Sequence, residues 1–335
     1  MRGRGLAALG GAALALAALD AVLPQILNPY YLTILARIGI AIVAAVSLQL
    51  VNGFTGQFSI GHAGFMAIGA YVSAAVSVYA GAGLLEALSG LLPAPALRGL
   101  YFPLPLLAGG LAAAAAGLVV GIPTLRLRGD YLAIATLGFG EIMRIAILNV
   151  DAVGGARGFS LAAPGHAGVD LRYEGFAAIF SVVALSIAVI ARLVRGSGGL
   201  AFRAVGEDET AAESVGIATT RVKVEAFVVS SFFAGVAGAL FAHSEGYIHT
   251  NSFSFVRSFE IVTFVVLGGL GSISGAVIAA TALTAAPELL RGLGEWRMIL
   301  YSLLLIGTML LRPQGLFGPR ELDLRPLLAR LGVRR

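Results

Sequence analysis

Apolar runs long enough to cross a bilayer recur along almost the whole chain, and no soluble fold can bury that many of them. A transmembrane helix needs about 20 mostly apolar residues. Candidate runs lie at 5–23, 32–51, 59–80, 103–125, 131–150, 174–194, 224–243, 257–290 and 298–311. The remainder cannot supply a polar exterior: of 335 residues, 58% are hydrophobic and only 12% are charged, with a mean hydropathy of +0.90. A soluble domain carries about 25% charged residues. A lipid surround removes the need for a polar surface, provided every backbone group is paired inside a helix or a closed barrel. The sequence therefore predicts an all-α, polytopic bundle of about 8–10 spans.

The run at 257–290 is too long for one simple crossing. It is interrupted by Gly268-Gly269-Leu270-Gly271-Ser272-Ile273-Ser274-Gly275. Glycine at that density favours a break, giving two shorter helices that dip in and return. Charge placement agrees. With Arg2 and Arg4 in the cytoplasm, Arg126, Arg128, Arg192, Arg195, Arg203, Arg221, Lys223 and the arginines from Arg312 to Arg335 fall on that same side. Arg98, Arg157, Arg172, Arg257, Arg291 and Arg297 fall on the other. That excess obeys the positive-inside rule, whereas a single crossing at 257–290 would put the basic tail outside. The expectation is a multi-pass membrane protein with both termini cytoplasmic. Residues 1–335 read as one membrane domain. Residues 312–335 read as a cytoplasmic tail, of which Glu321 to Arg335 mixes Leu with Arg around Pro326 and lies on the membrane surface.

Several function classes drop out. The net charge of +5 fits basic cytoplasmic loops better than nucleic-acid binding. With no cysteine, disulfides, thiolate metal sites and cysteine nucleophiles are excluded. Lys223 is the sole lysine and lies outside any Gly-x-x-x-x-Gly-Lys-Ser/Thr pattern, so the chain binds no ATP in the P-loop manner. His243, Glu245 and His249 are loosely spaced like metal ligands but follow no zinc pattern, and no metal is expected. No nucleophile–base pairing is evident, and no cofactor is expected on this chain.

Two segments carry the functional reading. The first is the loop 195–223. Within it, Glu207 to Val215 has good helix formers, acidic residues in its first turn and Gly216 as a stop. Ala211, Ala212 and Val215 recur at helical spacing, giving a small-residue face that can enter a partner's groove. Arg203, Glu207, Asp208 and Glu209 would supply rim contacts. The alternative is a solvated connector. The second is Asn52-Gly53-Phe54-Thr55-Gly56-Gln57-Phe58-Ser59-Ile60-Gly61-His62-Ala63-Gly64, which is glycine-rich and polar between two apolar runs. Small residues let helices approach closely or unwind, and unwound backbone in a membrane needs protein or a water-filled cavity around it. Gln57, Ser59 and His62, with Gly268, Gly269 and Ser272, are therefore candidates to line a pathway; tight helix packing is the other reading. Weak likeness between Phe58-Ser59-Ile60-Gly61-His62-Ala63 and Gly271-Ser272-Ile273-Ser274-Gly275-Ala276 hints at an internal repeat. Glu141 and Arg144, at i and i+3, can neutralise each other within one helix or serve function. Asp130 suits a helix start.

These segments resemble permease subunits of bacterial ATP-binding-cassette importers for branched-chain amino acids, the LivM type. So do Arg128-Gly129-Asp130-Tyr131-Leu132-Ala133-Ile134-Ala135-Thr136-Leu137, Gly154-Gly155-Ala156-Arg157-Gly158, Leu267 to Ser272, and Arg312-Pro313-Gln314-Gly315-Leu316-Phe317-Gly318. The matches run in order over residues 30–318. Leu200 departs from the arginine that the pattern has there. The resemblance implies a sister permease subunit and two cytoplasmic ATP-binding subunits that use ATP and magnesium. It also implies a periplasmic or extracellular substrate-binding protein that delivers leucine, isoleucine or valine, and alternating access driven through the 195–223 loop. The same machine with urea, an amide or another amino acid as cargo stays open, as does an ion-coupled carrier without ATPases.

Residues 5–23 behind Arg2 and Arg4 also look like a signal peptide, but a retained first helix keeps the downstream charge topology consistent. Intact-mass measurement of the purified protein is expected to include residues 1–23; a mature start near Ala21 would refute retention.

Overall fold

The computed structural model describes residues 20, 22, 25–81, 101–125, 127, 129–161, 175–312, 314–316, 318 and 321. Most of the first apolar run, Arg2, Arg4, Arg98, Arg126, Arg128, Arg172 and most of the tail lie outside them. The helices are α1 (Pro29–Gln49), α2 (His62–Ala75), α3 (Pro103–Thr124), α4 (Asp130–Leu148), α5 (Phe176–Arg195) and α6 (Ser197–Glu207). They continue as α7 (Glu209–Ser214), α8 (Thr219–Glu245), α9 (Phe255–Gly268), α10 (Ile273–Leu289) and α11 (Trp296–Leu311). α1 ends in a π-helical turn, Leu50–Phe54, and α2 in another, Val76–Gly81. Two short strands, β1 (Phe159–Ser160) and β2 (Tyr247–Ile248), pair antiparallel.

Among the described residues, 7 helical stretches are long and apolar enough to cross a membrane. The chain is a polytopic helical membrane protein. Its spans are not equivalent: 83% of the Pro29–Phe54 span is buried inside the bundle, against 17% for Asp130–Leu148. α1 is thus the central post, packed on α5, α8, α9 and α10, while α4 stands at the edge.

The tightest packing joins α2, α3 and α8. A Cβ on Gly69 of α2 would stand 2.1 Å from the carbonyl oxygen of Gly235 in α8. One on Gly109 of α3 would stand 2.5 Å from Gly69 O, and one on Gly238 only 1.9 Å from Met66 O. Three backbones therefore touch at one level. Lipid offers no hydrophobic drive between helices, so close van der Waals contact through small residues holds such a crossing together. Ala234, Ala237 and Ala239 beside these glycines are fully buried.

The long run resolves as expected into two helices, α9 and α10, which pack against each other across the link Gly269–Ser272. A Cβ on Gly268 would lie 2.5 Å from Gly275 C, so glycine on both sides permits the tight return. Other boundaries differ from the sequence pattern. The span read as 59–80 starts as helix only at His62, and the one read as 224–243 starts at Thr219. Arg257, expected in an outer loop, is the third residue of α9.

Gly69→Val should force backbone apart at the triple crossing, where overpacking costs about 1–3 kcal/mol or more. Gly138→Ala, in a helical position with nothing within 4 Å, should be neutral or stabilising by about 0.5–1 kcal/mol. Thermal unfolding of both variants in detergent checks the pair: loss of monodisperse protein is expected for the first and an unchanged or raised midpoint for the second.

Candidate functional site: a membrane pathway and its coupling end

The segment between α1 and α2 leaves helical geometry. From Thr55 to Gly61 the chain runs back alongside the end of α1, so that His62 lies beside Ser47 (Nε2 to Oγ, 2.8 Å). Ser47 precedes Phe54 by seven residues, about 10 Å of helix. α2 thus begins well inside the bundle. Side chains satisfy the unwound backbone. Asn52 accepts from Ser59 N (3.2 Å) and donates to Ser59 O (3.3 Å). Thr136 of α4 accepts from Ile60 N (3.1 Å), and Ser258 of α9 accepts from Ala63 N (3.0 Å). Gly56 at φ +65° makes the bend.

A second re-entry comes from the opposite end. After α8 ends at Glu245, the chain passes through β2 and a 3-10 turn, Thr250–Phe253, before α9 starts. Phe255 N donates to Glu141 Oε1 at 3.1 Å. Glu141 is eleven residues along α4, about 16 Å from its start. α9 therefore also begins near mid-membrane, and its first turn meets that of α2 through Ser258. Glu141 pairs with Arg144 (2.7 Å) and Arg257 with Glu260 (2.6 Å), each within one helix. Arg257 accordingly belongs to the span region rather than to an outer loop.

The glycine segment 268–275 joins the first site. Gln49 is fully buried and donates to Gly269 O (2.8 Å) and Ser272 O (3.3 Å). A Cβ on Gly53 would be 2.6 Å from Gly271 N. Ser272 caps α10 by accepting from Gly275 N (3.1 Å). Leu316 N donates to Leu267 O (2.8 Å), and the Glu321 carboxylate accepts from Ile273 N (2.8 Å) and Ser274 N (3.2 Å). The segment after α11 thus folds over the α9–α10 turn.

The loop after α5 closes the same end of the bundle. The sequence predicts one helix from Glu207 to Val215. The chain instead breaks at Asp208, whose extended backbone (φ −155°, ψ 111°) ends α6 and whose carboxylate accepts from Thr210 N (2.8 Å) and Ala211 N (3.0 Å) to start α7. An Asp at that position caps the next helix more favourably than it continues the last. Ala211, Ala212 and Val215 do not share one open face: Ala212 is 3% exposed and Val215 78%. Glu209 is no loose rim charge either, since it pairs with the buried Lys223 at the base of α8. Glu213 accepts from Thr219 Oγ1 (2.8 Å), pinning α7 a second time. Arg203, Glu207, Ala211 and Val215 remain exposed, together with Leu200. Gly206 at the end of α6 lies against the unwound segment: a Cβ there would be 2.6 Å from Phe54 O. Gly216 at φ +87° reverses the chain after α7.

The three sequence-flagged regions therefore converge, with Gln57, Ser59, Gly269 and Ser272 at the end of the bundle where the 195–223 loop lies. Gln57 is buried; its Nε2 donates to Thr55 Oγ1 at 2.8 Å, and among the described residues its Oε1 receives no hydrogen bond. His62 sits deeper. His243, Glu245 and His249 are separately engaged, by Ser77 and Ala239 O, by Arg37, and by Ala156 O respectively. Sequence reasoning did not single out Gln49, Thr136, Ser258 or Glu321. Each has its partner distant in sequence; Thr136 lies within the Arg128–Leu137 motif, but nothing local marks its hydrogen bond to Ile60 N or those of the other three.

The chain matches the family described as branched-chain amino acid transport system, permease component, over residues 30–311. It belongs to that family. The high-affinity branched-chain amino acid transport system permease protein LivM of Salmonella typhimurium is 41% identical over 245 residues, covering 65% of this chain and 57% of that relative. LivM of Escherichia coli is 41% identical over 234 residues, 62% of this chain and 55% of that relative. The permease protein LivH of Salmonella typhimurium is 34% identical over 150 residues, 44% of this chain and 48% of that relative. These alignments span about half the length of the relatives. No solved structure matches the chain significantly.

Asn52→Ala should leave Ser59 N and Ser59 O unpaired in a buried position, at about 1–3 kcal/mol each. Hydrogen–deuterium exchange is expected to rise selectively over residues 55–61, with α8 unchanged; equal protection in both proteins would show that Asn52 does not hold the segment.

Proposed function

We propose that this permease is one membrane-spanning subunit of an ATP-driven importer for leucine, isoleucine and valine. Family membership carries the class. The coupling reading is supported by one observation above others: Gly206, at the end of the exposed α6–α7 loop, lies in backbone contact with the unwound segment between α1 and α2. A push on that loop reaches the candidate pathway without passing through a flexible side chain. The protein acts as one permease unit, 1–335, with 195–223 as the coupling loop and 312–335 as the tail.

Two cytoplasmic ATPase subunits using ATP and magnesium dock on this loop. Leu200 and Val215, 71% and 78% exposed, are its apolar contacts, with Ala211 also exposed on α7. The loop end carries Arg192, Arg195, Arg203 and Arg221, which supports a cytoplasmic position at the inner membrane. A sister permease completes the channel, and an outer binding protein delivers cargo. Transport proceeds by alternating access, with Gln57, Ser59, His62, Gly268, Gly269 and Ser272 along or beside the route. No covalent chemistry takes place in this chain.

Uptake of labelled leucine is expected to collapse when the chain is deleted; intact leucine uptake with lost urea uptake would redirect the cargo. Ala211→Trp should abolish uptake and loosen the ATPases while the permease level stays normal, because position 211 faces outward. Ala212→Trp should instead lower the permease level, because its side chain packs inside this chain. Normal uptake and ATPase retention with tryptophan at 211 would make the loop a solvated connector.

A further inference from the structure

Charge is unevenly spread over the outward surface of the bundle. α3 has no charged residue in its length and presents Leu107, Leu111 and Val119 outward. α5 carries charge only at Arg192 and Arg195, in its last turn. Both surfaces suit lipid. The surface built by α4 and α9 differs. Glu141 and Arg144 are 28% and 24% exposed there, and Arg257 and Glu260 25% and 37%. Beside the two pairs lie apolar side chains that the described residues leave largely open: Ile142 at 64%, Phe255 at 52% and Val256 at 61%.

The depth of these groups decides what can cover them. The Glu141–Phe255 bond places Glu141 and the start of α9 alongside the middle of α4, about 10 Å or more from either end of that helix, with Arg144 and Arg257 within one turn of that level. A soluble protein does not reach that level. Lipid does, but intramembrane charges belong against protein or water, not hydrocarbon. An arginine offers five N–H donors and a carboxylate about four acceptor positions, so a single contact within each pair leaves capacity for a partner on both signs. The surface asks for a membrane-embedded chain with polar groups at mid-depth.

We infer that the α4–α9 face is the seat of the second permease subunit, a chain of the LivH-named kind, and that the two ion pairs lie on the seam between the subunits. This rests on the permease reading above. Both kinds of permease named in the comparisons align with this chain, at 41% and 34% identity, so a LivH-type partner has the same kind of helix bundle to present. The net-neutral strip with both signs suits a like surface better than a strongly charged one. It also keeps the α2 and α9 starts, which meet at Ser258, beside the seam.

The test is photo-crosslinking in the assembled complex. A photoreactive phenylalanine analogue replaces Ile142 or Val256 in one set of strains and Leu111 or Leu185 in another, with a tag on the LivH-type permease. Irradiation is expected to yield an adduct with that permease from 142 and 256, and none from 111 and 185. Absence of the adduct at both 142 and 256, in a complex that still co-purifies with both permeases, overturns the inference. An adduct with a differently tagged second copy of this chain overturns the choice of partner. If no second permease co-purifies with the unsubstituted chain, the importer reading itself fails, a result distinct from a misplaced interface.

Discussion

Backbone contact at the crossing of α2, α3 and α8 is the constraint on which the other features depend. Gly69, Gly109, Gly235 and Gly238 let three helices touch where side chains would hold them several ångströms apart. That crossing fixes the height of α2 relative to α8. α2 can then start well inside the bundle, which leaves the preceding residues to travel that depth without helical hydrogen bonds. The opposite end shows the same economy, since α9 also starts deep and a non-helical approach precedes it. The deep start of α2 therefore follows from where the rigid crossing sits, and α9 meets it there through Ser258.

Unwound backbone inside a bilayer is costly unless each polar group finds a partner. Here the partners are spread over the fold. Asn52 serves its own segment, Thr136 comes from α4, Ser258 from α9 and Gln49 reaches across to the α9–α10 turn. The arrangement ties the unwound pieces to helices that differ in how firmly they are held: α1 is central, whereas α4 is mostly outward-facing. A segment anchored partly to a fixed post and partly to an edge helix can change shape when the edge helix moves. That is the physical sense in which this region suits a transport cycle.

Much of this was legible in the sequence. The class followed from apolar run lengths, and the break within 257–290 from glycine density and basic-residue placement. Three polar or glycine-rich segments were marked, and they converge. What the sequence pattern missed has physical causes. The Asp208 break was hidden because acidic residues favour both a helix's first turn and an N-cap, and only the backbone distinguishes them. The role of Lys223 was hidden because a lone lysine near a span end reads as a surface charge, whereas here it is buried against Glu209. Arg257 read as a loop residue because the helix containing it is shorter than a full span.

The contact made by Glu321 bears on the order in which the molecule can be built. Its carboxylate closes the amides at the start of α10, 48 residues earlier in the chain. While translation is under way those amides have no such acceptor, and the α9–α10 turn stays unsealed until α11 has been inserted and Glu321 has left the ribosome. Emergence of that one carboxylate thus acts as a latch. The hairpin reaches its final form only once residue 321 is in place, so a product that stops short of it leaves the turn open beside the 195–223 loop.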